Sequence, residues 1–450
     1  MSFRADMRVP ARIYAHEKEL SRICGDKSLE QLVNIATLPG IEKWALAMPD
    51  VHEGYGFPVG GVAAFDKHIG IISPGGIGYD INCGVRLLRT DIPKEQVLPL
   101  LSVLGRTIFA EVPSGVGRGG QLSLKGGEFD AVLSGGAQRM YELGYAQEED
   151  LKHTESGGVL PGANPDLVSL YAKARGRDQL GTMGAGNHFV EVGFVEKVFN
   201  QEAALKMNLH QDDITVLIHT GSRGLGHQMA TDYIRIMNRT MSAYGIKLPD
   251  RELACVPFLS KEGQEYFAAM NAAANFAWAN RQLITFEVRQ SFEKVFGKGS
   301  AELSVIYDVA HNIAKIEEYE IGGKRKELIV HRKGATRAFP GQPVLIPGSM
   351  GTASYVLSGQ DASLDQSFGS SCHGAGRRMS RTEARKHVSV KALRDELEAE
   401  GIIINAGSRR GLTEEAPLAY KDIDDVVGVI DEAGIAKKVA RLRPLVVIKG

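Results

Sequence analysis

Cysteine is scarce in this chain. Four occur in 450 residues, at Cys24, Cys83, Cys255 and Cys372, with no C-x-x-C spacing among them. That is too few for a disulfide scaffold, and it points to a reducing, cytoplasmic setting in which a thiolate survives as a metal ligand. An excess of one charge is also missing. Lysine and arginine total 53 against 54 aspartates and glutamates, a formal net charge of −1. No global positive field therefore advertises a nucleic-acid partner, and any such binding must rest on local basic patches. No apolar run approaches the roughly 20 residues that span a bilayer, and the Met1-Ser-Phe-Arg4 start shows no signal-peptide pattern. Nor does any linker-like stretch divide the chain, although 450 residues would accommodate several average domains.

Glycine, by contrast, is abundant, with 52 residues gathered into short motifs where backbone must approach something closely or adopt positive φ. The chain is organised around one of these, Gly76-Ile-Gly-Tyr-Asp80-Ile-Asn-Cys83-Gly. Asp80 and Cys83 lie three residues apart in a glycine-flanked turn, within reach of one metal or of two bridged metals. Cys83 alone would read as a small buried hydrophobe; the carboxylate at this spacing favours a ligand. Three histidines follow at the ends of short apolar or glycine-rich runs: His188 in Gly184-Ala-Gly-Asn-His, His219 in Ile214-Thr-Val-Leu-Ile-His, and His311 in Val305-Ile-Tyr-Asp-Val-Ala-His. Together the five residues form a mixed-ligand candidate metal centre.

Residues 1–47 read as a lid of ordinary structure, with helices near His16–Leu20 and Leu29–Ala36. In Met48-Pro-Asp-Val-His-Glu-Gly, Asp50 and His52 are either polar turn residues or groups that orient metal ligands by hydrogen bonds. Strands are expected at Phe57–Phe65 and Ile69–Ser73, loops at Arg118-Gly-Gly and Lys125-Gly-Gly, and a helix over Ala131–Tyr145. Lys173, Arg175 and Arg177 form a basic face, solvated or phosphate-binding. The loop before His188 resembles a nucleotide loop only loosely, because it lacks the Lys-Ser/Thr ending and the following helix of a P-loop. Arg223, in Thr220-Gly-Ser-Arg-Gly, is placed for phosphate. Lys261–Phe296 reads as one long helix with Phe267, Met270, Ala274 and Trp278 as its core stripe. Further on, Val344–Leu357 reads as strand, Gly/Ser turn and strand. Ser380 and Glu383 form a capping box that starts a helix beside His373, Arg377, Arg378 and Arg381. His373, set in glycine, has three readings: a structural loop residue, a further metal ligand, or a nucleophile attacking a nucleotide α-phosphate.

The ordered set Asp80-Ile-Asn-Cys83-Gly, Gly186-Asn-His188, His219-Thr-Gly-Ser-Arg, Ala310-His311-Asn, Pro347-Gly-Ser-Met-Gly-Thr and Ser371-Cys-His373-Gly-Ala-Gly-Arg resembles the RtcB family of GTP-dependent RNA ligases across essentially the whole chain. The resemblance implies an α+β fold, a single large domain over 1–450 around a deep central metal-containing cleft. It implies two Mn²⁺ ions held by Asp80, Cys83, His188, His219 and His311, with Cys83 bridging; the soft thiolate would also suit zinc or cobalt. His373 would be the guanylylated nucleophile. Asn187, Glu191, Asn312, Ser349, Ser354, Ala375, Tyr420 and Lys449 would hold GTP and the guanylate, and Arg175, Arg223, Arg377 and Arg381 would contact RNA phosphates. The implied activity joins RNA 2′,3′-cyclic phosphate or 3′-phosphate ends to 5′-hydroxyl ends, in tRNA splicing on exon halves and in repair of broken RNAs, with an archease-type partner. Two other classes use parts of the same residues: a two-metal phosphoesterase without GTP, and a non-catalytic RNA-binding protein. Last, Arg443-Pro-Leu-Val-Val-Ile-Lys449-Gly450 is an apolar β-type run, expected to pack as a final strand that carries Lys449 to the cleft.

Overall fold

The computed structural model describes residues 4–115, 119–299 and 302–450; the loop expected at Arg118 lies outside them. Two mixed sheets share the chain. One runs Ala11–Ile13, Ile41–His52, Val59–Asp66, Lys324–Lys333, Asn312–Ile321 in spatial order. The other runs Pro343–Ile346, Ser354–Gly359, Ala436–Lys449, Phe189–Val198, Ile214–Thr220, Gly84–Thr90, Leu303–Ala310, with Ile403–Ala406 paired in parallel to Ala436–Lys449. The fold is α+β, as the resemblance implied.

Register in the second sheet explains how distant residues meet. Gly84 pairs with both Thr220 and Ala310, and His219 pairs with both Val85 and Phe189. The strands are antiparallel, so two begin where their neighbours end, and adjacent strands lie only about 4.8 Å apart. Cys83 and His188 immediately precede strands, His219 is the penultimate residue of one, and His311 immediately follows another. All four therefore emerge at one end of the sheet. Lys449, at the end of its strand, pairs with Phe189 and arrives at the same end.

His311 is also the only residue between Leu303–Ala310 of the second sheet and Asn312–Ile321 of the first. The first sheet carries Asp50 within Ile41–His52, and its Lys324–Lys333 strand leads into Ala335–Arg337, which pairs with Ser370–Cys372 just before His373. The seam between the sheets is thus where both sets of candidate residues converge.

Behind the seam runs the helix Lys261–Phe296, 36 residues and about 54 Å long. Ser260 caps it by accepting from the Gly263 amide at 3.1 Å, and it stops at Gly297, φ 99°. Its middle is buried on every side: Ala272, Ala273, Ala274, Ala277 and Ala279 let neighbours approach closely, and Met270, Phe276 and Trp278 fill the space between. Each fully buried large side chain of this kind stabilises by about 1.5–3 kcal/mol. Phe267 of the expected stripe is only partly buried. Polar residues on the same stretch are buried too, and each has a task. Asn280 accepts from the Thr182 amide at 3.1 Å and donates to the Thr182 and Gly221 carbonyls, joining the loop before His188 to the loop after His219. Arg281 donates to the carbonyls of Asn82 at 2.8 Å and Thr220 at 2.9 Å, and grips Asp308 through Nε and Nη2. Asp308 also accepts from Arg86 and from the Trp278 indole.

Some local expectations shift. The first 47 residues are not a lid: no described residue before His52 lines the central cavity, and Ile41–His52 is an interior strand of the first sheet over its own core of Leu32, Ile35, Ala45 and Phe65. The strand expected at Ile69–Ser73 shortens to Ile71–Ile72, and the helix expected over Ala131–Tyr145 spans Glu128–Glu142. Among the described residues no helix is long and apolar enough to cross a membrane.

Replacing Asp308 with Ala would leave two buried guanidinium groups without their carboxylate. The expected loss is about 3–5 kcal/mol, read as a fall in the midpoint of urea unfolding. A change within about 0.5 kcal/mol, typical of a surface substitution, would show that the sheet end is held by other contacts.

Candidate active site

Cys83, at the end of the Asp80 turn, is held by its neighbours' backbone. Its amide donates to the Asp80 carbonyl at 3.0 Å, its carbonyl accepts from the His311 amide at 2.8 Å, and Asn82 donates to Ala274 and to the Asn312 carbonyl. Across the site, Gly221 must be glycine, because a Cβ there would lie 2.5 Å from the Asp80 carboxylate.

The side chains form two groups that share one sulfur: Cys83, His219 and His311 in one, Asp80, Cys83 and His188 in the other. Cys83 Sγ lies 3.3 Å from His219 Nε2 and 3.4 Å from His188 Nε2; His219 Nε2 lies 3.4 Å from His311 Nε2, and His188 Nε2 lies 2.8 Å from Asp80 Oδ2. A tetrahedral ion with bonds of about 2.0–2.3 Å sets its donors roughly 3.3–3.8 Å apart, so most of these spacings are those of the edges of a coordination shell. The chemistry agrees. His188 Nδ1 donates to the Met183 carbonyl at 3.1 Å, which turns Nε2 toward the Asp80 carboxylate. The Nε2 atoms of His219 and His311 face each other and Cys83 Sγ in a buried site, an arrangement that a cation among them would satisfy. The residues fit a metal.

Electrostatics point the same way. Burial pushes His219 and His311 well below the usual imidazole range, aided by the neighbouring imidazoles, so both are neutral at pH 7, the form that can bind a metal. Burial opposes the Asp80 charge, but His188 and Arg223 hold its carboxyl below the ordinary range. Burial, with Asp80 beside it, pushes the Cys83 thiol well up.

His373 stands next to this donor set, its ring 4.8 Å from that of His311. Asp50, fully buried, accepts from the His373 amide at 3.0 Å and from His373 Nδ1 at 2.6 Å through the same oxygen. The Nδ1 proton is therefore fixed on Asp50, and in the neutral ring the lone pair falls on Nε2. Gly376, φ 72°, lets the His373 loop close on this strand, since a Cβ would lie 2.1 Å from the Asp50 carbonyl. His52 ends the same strand, with Nδ1 donating to the Asp50 carbonyl at 2.9 Å. Lys421 donates to the carbonyls of Pro49 and Val51 and so braces Asp50 from both sides.

A cavity of about 250 Å³ opens over these groups. Of the residues singled out from sequence, it is lined by His52, Asp80, Cys83, Asn187, His219, His311, Asn312, Ser349, His373, Ala375, Arg377, Arg381, Tyr420 and Lys449. Besides the buried Asp50, five residues expected to bind metal, nucleotide or RNA lie away from its wall. His188 approaches Asp80 from behind. Glu191 is buried, its carboxyl pushed up to about 8 by burial although Lys449 opposes the shift. Ser354 accepts from the Gly348 amide at 3.1 Å, shaping the Gly/Ser turn. Arg223 reaches Thr182 Oγ1 at 3.2 Å, and its charge acts on Asp80. Arg175 is exposed and donates to Gln228 at 2.9 Å. The capping box at Ser380 forms in one direction, Ser380 Oγ accepting from the Glu383 amide, and its helix is short, Arg381–His387.

Sequence reading passes over Glu415, and places Lys333 at a strand end without a role. Glu415, almost fully buried, accepts from Arg377 Nη1 at 3.1 Å, Arg381 Nε at 3.0 Å and the Tyr420 hydroxyl, and Lys449 lowers its pKa further. Lys333 lines the cavity, its ammonium on the carbonyls of Tyr55 and Phe57 and its pKa lowered by burial to about 7. Nothing near either residue forms a motif. A larger groove of about 640 Å³, bordered by Asp150, Tyr307 and Pro343, carries none of the metal donors.

A mixed α+β fold whose thiolate, imidazole and carboxylate donors converge beside a carboxylate-fixed histidine defines a candidate metal-centred enzyme. Comparison with known families supplies the lineage: the model described as "tRNA-splicing ligase RtcB" matches residues 31–450, and the chain belongs to the RtcB family. It is 55% identical to the tRNA-splicing ligase RtcB of Thermococcus kodakarensis, over 99% of this chain and 95% of that one. The corresponding proteins of Archaeoglobus fulgidus and Aeropyrum pernix are 52% and 51% identical, over 100% and 99% of this chain and 96% of each relative.

Because the Cys83 thiol is protonated at neutral pH without a metal, loading must release its proton. His219 and His311, neutral already, add no competing proton. Affinity for Mn²⁺ or Zn²⁺ should therefore rise with pH between about 6 and 8, with at least one proton released per chain, measured by calorimetry in buffers of different ionisation enthalpy. Cys83→Ser should weaken loading by at least about tenfold. Equal affinity in the variant would remove the thiol from the centre.

Proposed function

We propose that this protein is a GTP-dependent RNA ligase that joins RNA ends carrying a 2′,3′-cyclic phosphate or 3′-phosphate to 5′-hydroxyl ends, in tRNA splicing and RNA repair. The observation that carries the reading is the Asp50–His373 contact, which leaves an imidazole lone pair free in a cavity walled by metal donors and cations. The same contact would also suit a sixth metal ligand; what favours the nucleophile is its place among Arg377, Arg381 and Lys449, cations suited to a nucleotide phosphate. Family membership supports the tRNA-splicing context.

In this reading His373 Nε2 attacks the α-phosphorus of GTP; an N–P bond forms, the bond to the bridging oxygen breaks and pyrophosphate leaves. As the ring turns cationic, Asp50 stabilises it through Nδ1–H. Arg377, Arg381 and Lys449, gathered by Glu415, face the negative charge that develops. Bound at Asp80, Cys83, His188, His219 and His311, Mn²⁺ would neutralise phosphate oxygens. An oxygen of the RNA 3′-phosphate, formed from the cyclic phosphate by hydrolysis of its P–O2′ bond, then attacks the guanylate phosphorus, and the N–P bond breaks to restore His373. Finally the 5′-hydroxyl attacks the RNA phosphate, losing its proton, and GMP departs. Glu191, largely protonated at neutral pH without a ligand, would ionise on meeting the guanine N1–H and N2–H donors. Asn187, Asn312, Ser349, Ser354, Ala375 and Tyr420 complete the guanylate site. Arg175 and Arg223 join the arginines that neutralise RNA phosphates. An archease-type activator would assist turnover.

His373→Ala should abolish covalent labelling by radioactive GTP and retain metal, measured by elemental analysis. The same variant should still seal RNA supplied with a 3′-guanylate already attached. Loss of metal would return His373 to the ligand reading, and RNA-end hydrolysis without labelling in the unaltered protein would favour a phosphoesterase.

Burial lowers Lys449 to about 8, so its charge, complete below that pH, fades as pH rises through it. GTP affinity should fall above pH 8 and lose that dependence in Lys449→Met, which keeps the length of the side chain. An identical pH profile in the two proteins would take Lys449 out of nucleotide binding.

A further inference from the structure

A group of flat rings at the edge of the cavity has no part in the scheme above. Tyr79, immediately before Asp80, lines the cavity and is only partly buried. Its ring stacks on His227, with centroids 4.8 Å apart and planes 25° apart, and Tyr55 meets it edge-on at 5.5 Å. His227 is exposed, on the first turns of the Arg223–Thr240 helix. The neighbouring helix, Leu170–Arg177, adds Arg175, whose charge reaches His227. One turn earlier on the same face of that helix is Tyr171, 65% exposed.

Tyr55 and Tyr79 rest against the core, and His227, stacked on Tyr79, forms the exposed end of the stack beside the exposed Arg175. Such a combination is how proteins hold single-stranded nucleic acid: bases stack on aromatic faces while arginines take the backbone. Stacking tolerates any base, which suits an enzyme that joins ends of differing sequence.

We propose that the Tyr79–His227 stack, flanked by Tyr55 and Arg175, is a platform on which the terminal base of an RNA strand stacks at the mouth of the cavity. The proposal rests on the RNA-ligase reading. Tyr79 and His227 act as positioning residues, setting the last nucleotide so that its end reaches His373 and the metal donors.

The test pairs variants of the full chain with altered RNA ends. Substrates carry either a normal or an abasic nucleotide at the 3′ or the 5′ terminus, so that the arms tell which strand is seated. In the unaltered protein one abasic end should raise KM at least about fivefold with kcat nearly kept. In Tyr79→Leu, and separately in His227→Ala, normal RNA should show that raised KM and the abasic end should cost nothing more, with Tyr79→Trp restoring the difference. A 2-aminopurine at the same terminus should be quenched on binding to the unaltered protein and less so in the variants. Equal KM for normal and abasic ends, or undiminished quenching in both variants, would overturn the platform. Absence of ligation with every RNA would instead sink the ligase reading, and the quenching measurement would still decide whether the rings seat a base.

Discussion

Two guanidinium groups shut off from water, those of Arg86 and Arg281, meet on one carboxylate, Asp308, and the loops carrying the metal donors hang on that contact. Burying three charges is costly, and a well-packed apolar core would often be as stable. What the charges add is direction. Arg281 spends its remaining donors on the carbonyls of Asn82 and Thr220, one residue from Cys83 and one from His219, while Asp308 lies three residues before His311. A methyl-lined core would let these strand ends slide by fractions of an ångström. Guanidinium and carbonyl geometry does not, and a metal shell tolerates only about 0.2 Å.

The two sheets divide the labour. The second sheet supplies donors from four neighbouring strands; the first supplies Asp50 and, through the Ala335–Arg337 pairing, the loop of His373. His311 joins them as the single residue between strands of the two sheets. Asn312 strengthens the seam, donating to the Asp80 carbonyl at 3.1 Å and accepting from the Gly334 amide at 2.8 Å. His373, placed by one sheet, thus keeps its distance from the candidate donors carried on the other, because Asn312 at the junction bonds to both sides.

Much of the site was legible in the sequence, because its residues sit at strand ends flanked by glycine, and glycine marks where backbone comes close to something. The long helix was legible down to its ends, Ser260 and Gly297, since its period and its caps agree. Asp308 and Trp278 were visible as residues but not as partners. Nothing in a strand or in an alanine-rich helix announces that two arginines far apart in the chain share one carboxylate. Glu415 was missed for the same reason: an acidic residue in a short, motif-free segment gains its meaning only when three cations and a tyrosine surround it. At the start of the chain, where a lid is expected, the apolar run Trp44-Ala-Leu-Ala belongs instead to an interior strand, because its pairing partners lie on either side of it in the sheet.

Glu415 also explains how a chain of net charge −1 can present a basic cavity. Arg377, Arg381 and Lys449 converge on a space too small to hold three unscreened cations without mutual repulsion, and burial has already lowered Lys449. One buried carboxylate at their centre lets them coexist, and it fixes the guanidinium planes so that their outward N–H groups face the cavity. On the function proposed above, an incoming phosphate would meet donors already oriented, with less side-chain entropy left to lose. Attraction at long range is small for so balanced a surface; capture would begin inside the cavity that the arginines, His373 and the candidate metal donors line together.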